Sequence, residues 1–314
     1  MRDARVRRHE ARCVWNADAT LGEGPLWSAR DAALYWVDII EGDVHRFVPG
    51  TGERATCRMP CAMSALALCD DGGLLCTAQR DICVFDLDSG SLHRVLSLRT
   101  DAQNIRINDG CCHPDGSFWF GTMDLAEIDP TGTFHRLAPD GVCEHVPVMT
   151  CAITNGPAFS ADGAIGYFVD TLGGRLFQAR LDAGMLAEPL RDFARIAQAD
   201  GFPDGLATDS AGGVWCAHWN GSRVTRFDPD GRITDVVSLP VSNVTKCAFG
   251  GAQMDRLYIT TARKGLDANA LDAQPLAGGL FDVDVGYSGL PAPFYAGRAA
   301  RSVAIANDCV FVGN

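Results

Sequence analysis

Six stretches of the chain carry one pattern in one phase, and this repeat restricts the fold more than any other feature. They begin near Leu21, Pro60, Arg106, Ile153, Phe202 and Val244, and each runs from a polar residue through an apolar run, a turn and a second apolar run. In the four middle stretches a glycine lies eight positions after the polar residue, pairing Ser64 with Gly72, Asn108 with Gly116, Asn155 with Gly163 and Asp204 with Gly212. The spacing fits a strand of about four residues, a tight turn and a returning strand. A third apolar run often follows, as in residues 44–49, 82–87, 175–180 and 223–228, and a fourth follows a second turn, as in 228–239. Four strands per unit at a period of roughly 40 to 50 residues is the arithmetic of a β-propeller. The pattern therefore predicts an all-β fold, a six-bladed β-propeller with four antiparallel strands per blade, as a single domain over residues 1–314. No sustained 3.6-residue periodicity supports a helical array instead. Residues 1–12 read as an N-terminal extension, and Arg12 to Asn16 as the missing outer strand of the sixth unit. Ala187 to Ala199 reads as a loop or short helical turn, and residues 302–314 as a strand-like tail that the six-unit count leaves unassigned.

Composition agrees with this reading. The chain has two lysines, Lys246 and Lys264, and seven glutamates, against 34 glycines. The usual solvent-side helix formers are thus scarce and turn residues abundant. A net charge of −12 disfavours nucleic acid, whose phosphates require a basic surface. The longest apolar stretch, around Cys61 to Cys69, is too short to span a bilayer, and the basic start at Arg2 to Arg8 has no apolar segment after it. A soluble, cytoplasmic protein is expected, as a monomer or small homo-oligomer. Thirteen cysteines with no C-x-x-C pair read as small buried hydrophobes in a reducing compartment.

In a propeller the first strand of each blade starts near the central channel, so residues of equal phase ring its mouth. Here that position holds Glu23, Ser64, Asn108, Asn155, Asp204 and Lys246, all polar although the strands that follow are apolar. Turn preference explains Asn155 and Asp204 individually, but not Glu23. Two carboxylates and two amide oxygens converging on one point suit a hard divalent cation, and the lack of His or Cys argues against an imidazole or thiolate zinc site. Lys246 reads as an ion-pair partner turned aside. Ser64 lacks a neighbouring histidine, and no G-x-S-x-G elbow is present. His218 and Trp219 are candidates to line the pocket, with packing or exposure favoured for His218. His113 reads as a turn residue, and Trp27 and Trp119 as core.

The motifs Leu21-Gly-Glu-Gly-Pro25, Arg106-Ile-Asn-Asp-Gly110, Trp119-Phe-Gly-Thr-Met123, Thr154-Asn-Gly-Pro157, Pro203-Asp-Gly205, Asn243-Val-Thr-Lys-Cys-Ala-Phe-Gly-Gly251 and Thr260-Thr-Ala-Arg-Lys-Gly-Leu266 occur in order. In sequence and spacing they resemble the senescence-marker-protein/gluconolactonase family from about residue 13 to about residue 294. The resemblance implies a six-bladed propeller with one divalent metal ion in its channel (Ca, Zn, Mn, Mg or Fe) and, for bacterial members, sugar-lactonase activity. It implies that Glu23, Asn155 and Asp204 are the metal ligands and that Arg106 and Asn108, sharing one strand face, contact substrate. Some members carry a glutamate three residues after Gly-Thr-Met. This chain has Ala126 there, which leaves Asp124 or Glu127 as the substitute.

The expected reaction is hydrolysis of an aldono-1,4- or 1,5-lactone to the aldonic acid in carbohydrate catabolism. Ester hydrolysis passes through an oxyanion that a cation stabilises. Asp204 is the candidate general base, with hydroxide supplied by the metal as the alternative. Arg106 would fork onto hydroxyls or the carbonyl. Another ester or phosphoester hydrolase is the second reading, and a non-catalytic calcium-binding or protein-interaction propeller the third. The polar loops at Asp70 to Gly73 and Asp228 to Gly231 favour the enzyme.

Overall fold

The computed structural model describes residues 6–297, 303–305 and 311–313. They form six small antiparallel sheets, whose innermost strands contact one another in sequence and close from the sixth back to the first. Those inner strands are Gly22–Ser28, Met63–Cys69, Ile105–Cys112, Thr154–Phe159, Phe202–Thr208 and Val244–Gly250, in blades one to six. This is the expected six-bladed β-propeller. The Asp-Gly and Gly-Gly turns between strands carry left-handed glycines, with φ of +84° at Gly116, +70° at Gly163 and +80° at Gly212. That backbone conformation explains the recurring glycine of the repeat.

Arg12–Trp15 pairs antiparallel with Leu280–Val283 and completes blade six, as expected of the segment before the first unit. Part of the segment read as an N-terminal extension is a strand. Arg7–Glu10 adds a fifth strand to blade five, parallel to Ile233–Ser238. Residues 1–5 lie outside the described residues. The tail, read as strand-like and unassigned, contributes two short strands. Val303–Ile305 pairs with the outer strand of blade two and Val312–Gly313 with that of blade one, and the rest of 302–314 lies outside the described residues. The stretch read as a loop or short helical turn at Ala187 to Ala199 contains the outer strand of blade four, Arg191–Arg195, and runs into a 3-10 turn at Gln198–Asp200. An arginine-rich edge strand has no apolar alternation to announce it.

The core lies between blades. Trp119 is fully buried and meets Phe159 of the next blade edge-on at 5.6 Å, and Trp27 stacks on Tyr258 at 6.1 Å. Hydroxyls pin neighbouring inner strands together. Ser64 donates to the Ile107 carbonyl at 2.9 Å, and Thr245 to that of Gly22 at 2.6 Å. Eleven described cysteines are free thiols, seven of them buried. Cys57 departs from the expected pattern, being disulfide-bonded.

Candidate metal and active site in the channel

Every inner strand loses its ladder register at or beside the ring position: between Glu23 and Leu26, Met63 and Leu66, Ile107 and Gly110, Asn155 and Ala158, Pro203 and Leu206, and Val244 and Lys246. A bulge re-aims a side chain out of the regular alternation. All six blades break the alternation at the level where the ring residues stand. In blades one and four the extra residue belongs to a Gly-Pro pair, and Gly24 and Gly156 have φ of +57° and +74°.

Glu23, Asn155, Asp204 and Lys246 are buried there, at 3 to 8% exposure. Glu23 Oε2 accepts the Gly24 amide at 2.9 Å. Burial, then the charge of Asp109, push the Glu23 carboxyl up to about 7 against the pull of Lys246. Burial and the charges of Glu23 and Asp109 raise Asp204 well above the usual carboxylate range. Two buried carboxylates in each other's field require a proton or a cation. Asn155 donates from Nδ2 to Thr171 Oγ1 at 2.9 Å, which leaves its Oδ1 as the atom presented to Asn108 Nδ2 at 3.4 Å. The donor set of Glu23, Asp204 and the Asn155 oxygen therefore fits a hard cation. Among the described residues there is no group of three or more His, Cys, Asp and Glu side chains set to hold a metal. The ring reaches three donors only through the amide.

Asn108 donates to the Thr154 carbonyl at 2.8 Å, so its own oxygen remains to accept. Arg106 is anchored by Nη1 to the Ile107 carbonyl at 3.0 Å. Burial lowers its pKa against the fields of Glu23, Glu127 and Asp204, which places the guanidinium beside the acidic ring. Ser64 shares the phase but not the site, because its hydroxyl is engaged by Thr77 at 2.7 Å and by the Ile107 carbonyl. Lys246 is turned to an ion-pair partner as expected, and that partner is Asp109.

Asp124 has a different role from the expected substrate contact. Its Oδ1 accepts from Asn104 at 2.9 Å, and its Oδ2 from the Ile128 and Asp129 amides at 3.0 and 3.1 Å. Asp38 and Asp170 end the second strands of their blades in the same way and bind loop amides of Ile40 and Gly173. Asp124 is thus a repeat-position loop cap. Of the two carboxylates considered, Glu127 is the one whose field reaches Arg106. It pairs across the mouth with Lys264 at 2.5 Å. His218 is buried, with Nδ1 on the Asp200 carbonyl at 2.8 Å, and burial lowers its pKa to about 4. Trp219 packs on the cluster containing Leu21 and Ala262. His113, read as a turn residue, bridges blades three and four through Nε2 to the Gly163 carbonyl at 3.0 Å.

Asp109 was missed by sequence reasoning. A signal for it was present. The residues that follow the ring positions are Gly24, Ala65, Asp109, Gly156, Gly205 and Cys247, and Asp109 alone among them carries a charge. Beyond the ring, a cavity of about 470 Å³ continues along the channel, lined by Pro25, Leu66, Pro157, Leu206, Phe249 and Leu290 among others. No carboxylate lines it, and Lys246 is its charged lining residue.

The raised carboxyl of Glu23 has a pH signature in chelator-treated protein. An acid whose folded pKa lies above its unfolded value adds stability below the unfolded value and loses it as pH rises through the folded one. Glu23 moves from 4.5 to about 7, so on the order of 3 kcal/mol is lost across that window. The melting temperature of the stripped protein is expected to fall between pH 5 and pH 8, and excess divalent cation to remove the fall. A stripped protein that melts higher at pH 8 than at pH 5 would contradict the site.

The SMP-30/Gluconolactonase/LRE-like family model matches residues 21–263. The chain is 37% identical over 281 residues to an L-arabinolactonase of Azospirillum brasilense, covering 88% of this chain and 93% of that one. It is 35% identical over 291 residues to a 6-deoxy-6-sulfogluconolactonase of Pseudomonas putida, covering 91% and 98%. A solved structure from Agrobacterium tumefaciens, described as a calcium-binding protein, regucalcin, superposes with a TM-score of 0.88 at 31% identity, covering 93% of this chain and 99% of that one. With a family model matching residues 21–263 and relatives of 35–37% identity over most of the chain, the chain belongs to the SMP-30/gluconolactonase/LRE-like family.

Proposed function

We propose that the protein hydrolyses a sugar lactone to its open-chain aldonic acid, as part of carbohydrate catabolism, with a divalent cation held by Glu23, Asn155 and Asp204. The observation that carries this reading is the buried pair Glu23 and Asp204, raised by burial and by neighbouring charge and faced by Arg106 and the free oxygen of Asn108. Lactonase names among the relatives support the substrate class.

When bound, the cation supplies Lewis-acid stabilisation of charge developing on the lactone carbonyl oxygen. The chain's own residues do the rest. Asp204 accepts a proton from the attacking water as the new C–O bond forms at the carbonyl carbon. Arg106 directs N–H donors at the substrate and stays charged, because the fields of Glu23, Glu127 and Asp204 oppose the effect of its burial. Asn108 accepts a sugar hydroxyl. As the ring C–O bond breaks, the leaving alkoxide takes the proton that Asp204 accepted, and the aldonic acid departs.

A panel of aldono-1,4- and 1,5-lactones, assayed for acid release with and without chelator, tests the reading. At least one lactone is expected to open far above its spontaneous rate, with activity lost on chelation and restored by added divalent cation. Arg106→Ala is expected to raise KM and lower kcat/KM about 10²-fold. Spontaneous rates for every lactone would end the proposal.

A further inference from the structure

We propose that Lys246 governs the charge the channel presents to a cation: its ammonium holds Asp109 out of the ligand set, so that a divalent ion meets two carboxylates rather than three. The inference rests on the metal reading of Glu23, Asn155 and Asp204 given above.

Lys246 leaves the inner strand of blade six and crosses that of blade five. A Cβ on Gly205, the residue after Asp204, would come within 2.4 Å of Lys246 Cγ and 2.6 Å of its Cβ, so glycine there makes room for the lysine stem. The ammonium ends on Asp109 Oδ1 in blade three, on the opposite side of the six-membered ring. Asp109 also accepts the Gly110 amide at 2.7 Å and the Gly156 amide at 3.0 Å, so both of its oxygens are engaged. Lys246 and Asp109 are buried, at 6% and 2% exposure. Both neighbours feel the pair, since Asp109 repels and Lys246 attracts the charges of Glu23 and Asp204.

Glu23, Asp109 and Asp204 contribute three negative charges, against the positive charges of Lys246 and Arg106. Without the ammonium the site is one unit more negative, and Asp109 loses its ion-pair partner. Charges a few ångströms apart in a buried site interact by several kcal/mol, so one charge more or less changes both affinity and valence preference.

The test uses chelator-treated full-length protein titrated with Ca²⁺ by calorimetry and with Tb³⁺ by luminescence. K246M keeps an unbranched stem over Gly205 and removes the charge. It is expected to bind Ca²⁺ at least about tenfold more tightly than the wild type, and to gain more for Tb³⁺ than for Ca²⁺. D109N leaves an unpaired ammonium beside the cation and is expected to weaken Ca²⁺ binding about tenfold. The D109N/K246M double variant, which buries no unpaired ion, is expected to return to near wild-type affinity, because the gain in K246M is carried by the freed carboxylate of Asp109. Wild-type binding that K246M leaves unchanged or weakens overturns the inference while the metal reading stands, and so does a double variant that binds Ca²⁺ as tightly as K246M. No binding of either ion by wild type and variants alike overturns the metal reading and the inference together.

Discussion

Asp204→Asn is expected to lower kcat for the preferred lactone by about 10³-fold while leaving the chelator-treated protein more stable than the wild type. The two effects share one cause. Asp204 lies buried in the field of Glu23 and Asp109, so its ionised form is costly in the folded state. Asparagine keeps the shape and removes the like charge. Activity falls because the substitution takes away both the proton acceptor and one of the two charged donors for the cation. Kinetics under saturating cation, paired with thermal melts under chelation, separate this outcome from misfolding. An Asp204→Asn protein with full kcat would remove Asp204 from the mechanism. One with low kcat and a lowered melting temperature would point to a structural role.

Trp119→Ala is expected to cost about 3–5 kcal/mol of stability, a drop of roughly 10 °C in melting temperature, with activity per folded molecule little changed. Trp119 is fully buried between blades three and four, 5.6 Å from Phe159 and 6.2 Å from Phe168. Truncation leaves a cavity that rigid strands on both sides do not close. Trp119→Phe is the control. The indole Nε1 is buried without a hydrogen-bond partner, so phenylalanine loses volume but also relieves an unsatisfied donor, and a cost under about 1.5 kcal/mol is expected. Melts of the three proteins decide between core and sugar platform. A Trp119→Ala protein that melts like the wild type but loses lactone binding would reassign the residue to the substrate site.

The local parts of this protein are legible in its sequence because they depend on residues a few positions apart. Strand alternation, the glycines with positive φ in the blade turns, and the polar residue opening each inner strand all recur at one spacing. They lead to the propeller, to the closing strand at Arg12–Trp15, and to Glu23, Asn155 and Asp204 at one level of the channel. Asp124 illustrates the limit. Its place beside Gly-Thr-Met suggested a substrate contact, but its oxygens serve a loop, as do those of Asp38 and Asp170 at the ends of their own second strands. Ser64 has the phase of a ligand and the hydrogen bonds of a staple between blades. The edge strand at Arg7–Glu10 carries no apolar periodicity, because its partner Ile233–Ser238 supplies the backbone pairing that holds it.

The two lysines mark the boundary between the two kinds of information. Their scarcity, and the presence of Lys246 at the ring phase, are visible in the sequence alone. The groups they meet are not, since Lys246 reaches Asp109 and Lys264 reaches Glu127, each pair 137 residues apart. Repeat spacing sets which residues stand at the mouth of the channel, because a bulge and a turn are local. Closure of the ring sets which charges face one another across it, because only then do blades three and six lie opposite. Electrostatic energy depends on that distance and on the burial that closure brings, and neither exists in the extended chain.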